Sequence, residues 1–279
     1  MTDQTGITDV HTHAFPDGLA HHAISTLEQS QDDARAVTDG TIGSLIRSMN
    51  HAGIHRSVVC SIATAPNQFE SILAWSRKVM GPRIIPLASV HPDNENPEVC
   101  VRKIAQTGLA GLKMHPQYQG FDLADPGIRP ILQEAMENDL LVTFHCGLDF
   151  AFPDDDERAH PQKILSIHRN FPELTIIATH MGGWRRWDAV LEKLAGEDIY
   201  LETSYTFGYI NEEILRKIID RHPKDRLLFG TDSPWQDQLK TLKKVAIFFA
   251  DSDLKGRLFV QNPATLFGPF EGPSKTEAK

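Results

Sequence analysis

Short apolar runs rich in Val, Ile and Leu alternate along the chain with longer stretches of helical spacing. The runs are Ile7–His13, Ser57–Ala63, Ile84–Val90, Ala110–Met114, Leu140–His145, Leu174–Thr179, Ile199–Ser204 and Arg226–Gly230. Each is nearly continuous in apolar character and bounded by Gly, Pro or polar residues. That pattern predicts strands buried on both faces and therefore paired in parallel. Between them, Ile42, Leu45, Ile46 and Met49 recur at helical intervals ahead of Gly53. Helical patterns beginning at Phe69 and Asn96 run to Gly81 and Gly108, where glycine is a helix stop. Five more follow at 125–139, 160–172, 186–197, 211–223 and 238–253, and a short one at 262–268. Eight strand–helix units in strict alternation predict an α/β fold, the (β/α)8 TIM barrel, as a single domain over 1–268. A doubly wound open sheet is the competing topology, but no glycine-rich phosphate turn follows the first run. Residues 14–40 and 147–160 form the two longest connections and are predicted as loops overhanging the barrel mouth. Residues 269–279 are predicted as a disordered tail.

Composition narrows the partners. The 279 residues are 41% hydrophobic, sufficient for a large core, and carry a net charge of −9. That balance argues against nucleic acid or an anionic membrane surface as partner. No apolar run is long enough to cross a membrane. The N-terminal text has no basic and apolar leader, and the three cysteines, Cys60, Cys100 and Cys146, have no paired spacing. A cytoplasmic enzyme acting on a small molecule is expected, and a homo-oligomer is compatible with the sequence.

Six of the thirteen histidines fall where predicted strands end: His11 and His13, His91, His115, His145 and His180, with Asp232 closing the series. Parallel strands of a barrel deliver their C-terminal ends to one mouth, where imidazoles and a carboxylate can hold a divalent metal. Residues i and i+2 of a strand face the same side, so His11 and His13 can act together. Taken singly, an H-x-H pair can be surface histidines, His145 or His180 a polar plug at the rim, and Asp232 a helix N-cap. The ordered set, with H-x-H on the first strand, His on the fifth and sixth and Asp on the eighth, favours the metal. His91 and His115, each before a proline, are candidate substrate contacts or rim fillers. Trp184 and Trp235 can wall an apolar or aromatic substrate, or pack beneath a loop. Arg185 and Arg186 can bind an anionic group or remain solvated. Lys113, two residues before His115, can pair with a rim carboxylate or bind a substrate carboxylate. Glu202 and Ser204 are placed to line the barrel.

These motifs, "DVHTH", "GLKMHP", "FHCG", "THMGG", "FGTDSPW" and "NPATLFG", resemble the amidohydrolase superfamily. The likeness lies with its amidohydrolase-related branch, which includes aminocarboxymuconate-semialdehyde decarboxylase. The resemblance implies that His11, His13, His145 and Asp232 bind one divalent metal, zinc in the first instance. It implies that His180 binds a second metal or contacts the reacting oxygen, and that Asp232 is the general base. A carboxylated Lys113 would bridge two metals, as in dinuclear members; one metal is the expectation here. The implied activity is hydrolysis of a small carboxylated amide, ester or lactone by zinc-activated water. The alternative is non-oxidative decarboxylation of a small aromatic or enoic acid. Many such decarboxylases have Glu in place of the first His, so His11 leans towards hydrolysis. A binding barrel without turnover is a third reading, for which the sequence shows no lost ligand.

Overall fold

The computed structural model describes residues 6–29, 35–250 and 252–270. Eight strands run in parallel: β1 Thr8–Thr12, β2 Arg56–Cys60, β3 Ile84–Leu87, β4 Gly111–Met114, β5 Leu141–Phe144, β6 Ile176–Ala178, β7 Tyr200–Glu202 and β8 Leu227–Leu228. Ladders join β1–β2–β3 and β4–β5–β6–β7–β8. Two narrower seams close the circle. At one, the Ala88 N–H donates to Gly111 O (3.2 Å) and the Lys113 N–H to Ala88 O (2.8 Å). At the other, the Val10 N–H donates to Phe229 O (2.8 Å) and the Asp232 N–H to His11 O (2.7 Å). The sheet is thus a TIM barrel, as the alternation predicts.

Outside it lie α1 Asp17–Gln29, α2 Ile42–Ala52, α3 Phe69–Val79, α4 Pro97–Ala105, α5 Pro116–Gln119, α6 Arg129–Glu137, α7 Pro161–Asn170, α8 Trp187–Lys193, α9 Glu212–Arg221, α10 Gln238–Phe248, α11 Ser252–Gly256 and α12 Asn262–Phe267. Local chemistry fixes several ends. The Thr41 hydroxyl caps α2 by accepting the Ser44 N–H, and Gly53 ends it at φ 72°. Asn211 caps α9 through the N–H groups of Glu213 and Ile214.

One apolar cluster fills the space between barrel and helices. A second fills the barrel itself, from Val10, Val58, Cys60, Leu87, Leu141, Ile177, Tyr200 and Leu228, with Leu266 and Phe267 of α12 packed against it. The period of two then carries the next inward positions upward to the mouth: Leu141 leads to Thr143 and His145, Tyr200 to Glu202 and Ser204, Leu228 to Gly230 and Asp232.

β1 departs from this rule. Its register against β2 shifts between Asp9 and Thr12, the signature of a bulge. Val10 joins the interior cluster, yet the next residue, His11, reaches Glu202 of β7. The bulge turns consecutive residues inward. Asp9 faces the other way and ties the closing seam: its carboxylate accepts the His11 N–H (3.2 Å), the Thr231 N–H (3.0 Å) and hydroxyl (2.6 Å), and the Gln238 amide (2.8 Å). Burial pushes its pKa up to about 7.

One expectation needs correction. The 14–40 connection is not an irregular loop, because α1 folds within it. The spacing of Leu19, Ala23, Thr26 and Leu27 is helical, but these residues face a cavity rather than the core, and Ala20 alone of the helix is buried. In the predicted tail, Phe270 packs its ring edge-on to His55 at 5.3 Å; residues 271–279 lie outside the described residues.

Candidate metal centre

His11 and His13 leave β1, Asp232 follows β8, and the seam between these strands brings them together. His11 Nε2 and His13 Nε2 are 3.2 Å apart. Asp232 Oδ1 stands 3.4 Å from the first and 3.0 Å from the second. Asp232 is held in left-handed backbone, at φ 61°, a conformation that costs energy outside glycine and gathers at functional sites.

The protons on these rings can be placed from their other partners. His13 Nδ1 is 2.8 Å from Cys60 O. A carbonyl only accepts, so Nδ1 carries the hydrogen and Nε2 presents a lone pair. His11 Nδ1 is 3.0 Å from Glu202 Oε1. Burial alone would raise the Glu202 pKa, but the neighbouring histidines and the Ser204 hydroxyl outweigh it and bring it down to about 2. Glu202 is therefore an ionised acceptor, His11 Nδ1 is the donor, and His11 Nε2 is bare. Burial and the Lys113 charge also hold His11 below the usual imidazole range.

With these tautomers, two imidazole lone pairs and a carboxylate oxygen face one another. Asp232 Oδ1 finds no hydrogen-bond donor with the rings in these tautomers; burial opposes its ionisation, but the adjoining His11 and His13 hold its carboxyl well below the usual carboxylate range. The edge of a tetrahedron of donors ~2.1 Å from a cation is roughly 3.4 Å, and the separations of 3.0–3.4 Å fit it. These residues suit a divalent cation.

His180 adjoins His11, with ring centroids 5.4 Å apart, and His145 adjoins His180, standing outside the compact group of His11, His13 and Asp232. His145 Nε2 donates to Leu148 O at 3.0 Å. His180 Nδ1 donates to Ser204 Oγ at 2.8 Å, whose own hydrogen goes to Glu202 Oε1 at 2.7 Å. The two remaining nitrogens, His145 Nδ1 and His180 Nε2, meet bare at 3.1 Å. Burial drives the pKa of His180 down to about 4 and that of His145 well below its ordinary value. His180, too, is left-handed at φ 57°, and its carbonyl accepts the Trp187 indole N–H at 3.0 Å. Lys113 is fully buried, with Nζ 3.5 Å from His11 Nε2.

A further cluster, His115, His145 and Asp149, is compact enough to suggest a metal, but its protons argue otherwise. His115 Nδ1 accepts the Tyr118 N–H (3.5 Å), so its Nε2 carries a hydrogen towards Asp149 Oδ2 at 3.5 Å. His115 and His145 stack with centroids 3.9 Å apart.

Two glycines make this architecture possible by close approach. A Cβ on Gly230 would lie 2.1 Å from Glu202 Oε2. A Cβ on Gly147, at φ 90°, would lie 2.2 Å from Trp184 N; its absence lets the chain after β5 pair with Trp184, whose carbonyl accepts the Leu148 N–H at 3.0 Å.

Above the histidines opens a cavity of about 560 Å3. His11, His13, Lys113, His115, His145, His180, Trp184, Asp232 and Trp235 all line it. His91 does not: its Nδ1 accepts the Asp93 N–H and its own N–H donates to Asn94 Oδ1, so a local turn draws it away from the mouth. Of its two readings, substrate contact and rim filler, this position off the cavity favours the second. Arg185 stacks its guanidinium 4.3 Å over Trp184, and Arg186 pairs with Glu157; neither lines the cavity. Sequence reasoning missed Phe150, Tyr205 and Asp149, which do. Phe150 lies tilted at 48° against Trp184, with centroids 4.1 Å apart, and meets Tyr205 at 5.4 Å. Their only signal was position after strands five and seven. Glu202 was placed in the barrel without its role, because the His11 contact spans 191 residues.

A closed barrel with imidazoles and a carboxylate at its C-terminal mouth defines a metal-dependent TIM-barrel enzyme class. The chain matches the family described as Amidohydrolase over residues 8–268, and it belongs to that family. No curated protein matches it. Among solved structures it is similar to an uncharacterised TIM-barrel protein from Bordetella bronchiseptica (14% identity, 94% of this chain and 98% of that one, TM-score 0.75). It is also similar to 5-carboxyvanillate decarboxylase from Sphingomonas paucimobilis (16%, 95% and 99%, TM-score 0.70). A protein assigned as 2-pyrone-4,6-dicarboxylic acid hydrolase from Pseudomonas putida has the same architecture (17%, 96% and 99%, TM-score 0.66). Among the described residues, no helix is long and apolar enough to cross a membrane.

Proposed function

We propose that this chain is a zinc-dependent hydrolase of the cytoplasm that cleaves a small carboxylated amide, ester or lactone. The observation that carries the reading is the ionised Asp232 beside two bare imidazole nitrogens. His11, His13, Asp232 and His145 would hold the metal, and two to three imidazoles with one carboxylate suit zinc. When bound, such an ion supplies a water acidic enough to ionise near neutral pH. Asp232 would give Oδ1 to the metal and take a proton on its other oxygen, Oδ2, from which it can return it to the leaving group, which is general acid–base work. His180 faces the same space from β6 and is positioned to contact the reacting oxygen. Lys113 offers an ammonium to a substrate carboxylate, while Trp184 and Trp235 wall the site.

A solved decarboxylase of the same architecture supports a second reading, loss of CO2 from a small aromatic or enoic acid. A panel of lactones, esters, amides and aromatic acids, scored on the metal-loaded protein for acid release and for CO2 release, separates them. Acid release without CO2 is expected; CO2 release alone overturns the hydrolase reading in favour of the lyase.

A further inference from the structure

The cavity walls divide into two groups. The connections after β5 to β8 supply Asp149, Trp184, Tyr205 and Asp232. The connections after β1 and β2, which are neighbours in the barrel, supply most of the rest, with Lys113, His115 and Tyr118 entering from β4 and its C-terminal end. From α1 come Leu19, Ala23 and Leu27; from the segment after β2 and from α3 come Ile62, Ile72 and Trp75. No Asp, Glu, Lys or Arg appears among the described residues lining this second half, whose imidazoles are His13 at the end of β1 and His22 on α1. Its polar groups are partly spoken for within the wall: Gln68 Oε1 accepts the Thr64 and Ala65 N–H groups, and the Ser71 hydroxyl donates to Gln68 O.

A compact carboxylated substrate held by the metal ligands and Lys113 has no use for such a wall. Packed apolar surface favours a ligand that removes comparable apolar surface from water. Leu19 shows the same thing from the other side: it remains 59% exposed on a helix that buries one alanine. The apolar face of α1 is therefore not used to hold the barrel together.

We propose that the half-cavity between α1 and α3 is a subsite for an apolar alkyl or aryl substituent several carbons long. The substrate's reacting head lies at His11, His13 and Asp232 and its tail runs along Leu27, Ile72 and Trp75. The proposal rests on the hydrolase reading for the identity of the head, but not for the tail.

The test uses straight-chain hydroxamates from two to eight carbons, whose head binds zinc, titrated calorimetrically into the zinc-loaded protein. A buried methylene contributes about 0.8 kcal/mol, so Kd should fall about three- to fourfold per added carbon until the subsite is full. Straight-chain alcohols titrated into EDTA-treated protein read the tail without the metal, and the same slope is expected. Ile72→Asp should flatten both slopes while leaving the two-carbon hydroxamate unaffected. Ala23→Trp, which plugs the subsite without adding charge, should do likewise and guards against misfolding of the first variant. Flat slopes in both series on the wild-type protein overturn the proposal, as do slopes unchanged in both variants. If the two-carbon hydroxamate fails to bind while the alcohol slope persists, the metal reading falls and the subsite stands.

Discussion

Glu202 on β7 and His11 on β1 meet across the barrel, Oε1 to Nδ1, at 3.0 Å. The same carboxylate accepts the His180 N–H at 2.9 Å and the Ser204 N–H at 2.7 Å. One buried anion therefore sets the tautomer of His11 and the position of His180. Outer partners of this kind typically matter 10- to 100-fold in metal affinity. Glu202→Gln should weaken zinc binding by about that factor, measured by competition with a chromogenic chelator. An unchanged affinity would mean that His11 orients itself without the carboxylate.

His11 and His13 supply the bare nitrogens of the centre. His11→Ala and His13→Ala should each lose most bound metal, read as metal per chain by mass spectrometry after dialysis. Full occupancy in the double variant would place the ion elsewhere.

Asp232→Asn keeps the shape but removes the proton acceptor. The kcat on whichever substrate the panel identifies should fall on the order of 10²–10⁴-fold, with metal content falling less than in His11→Ala. Turnover like that of the wild type would show that the proton leaves by another route.

Lys113 Nζ lies 3.5 Å from His11 Nε2, and no ion pair to a carboxylate is formed by it among the described residues. If it remains an ammonium, the native protein should carry one metal per chain, and Lys113→Met should keep that metal while raising KM for an anionic substrate. Two metals per chain, both lost in Lys113→Met, would establish a bridging carbamate instead.

His222 gives a pH prediction away from the centre. It is buried as a neutral ring, Nε2–H donating to Ile199 O at 2.9 Å and Nδ1 accepting the Gly196 N–H at 3.4 Å. Burial lowers its pKa from 6.5 to about 4. Between those values the unfolded chain takes up a proton that the folded chain refuses, so stability falls as pH drops. On the order of 3 kcal/mol should be lost across that window. Denaturant melts of EDTA-treated protein at pH 7 and 4.5 should show a smaller acid penalty in His222→Gln.

The barrel was legible because its strands are apolar on both faces and separated by helices with clear stops. The strand-end residues were legible because the period of two places them on the interior line that Leu141, Tyr200 and Leu228 begin. Which of its two readings His91 takes does not show in the sequence, because the strand rule ends before it: beyond the Ala88 seam the chain enters a turn at 91–94 whose own hydrogen bonds set the ring. The β1 bulge was invisible, since a register shift leaves no mark on the residue text. The function of α1 was hidden for a different reason. Its apolar face is helical in spacing but serves a cavity, and sequence alone does not say which neighbour a face will meet.

The seam between β1 and β8 has a consequence for how this protein comes into being. Three of the converging donors, His11, His13 and Asp232, stand at opposite ends of the domain and become neighbours only when the last strand docks on the first. Until some 230 residues have been synthesised and the circle has closed, the imidazoles of a nascent chain lack the carboxylate that completes the centre. Metal loading should therefore follow barrel closure, and the bound ion would then act as a clasp across the joint that closes last.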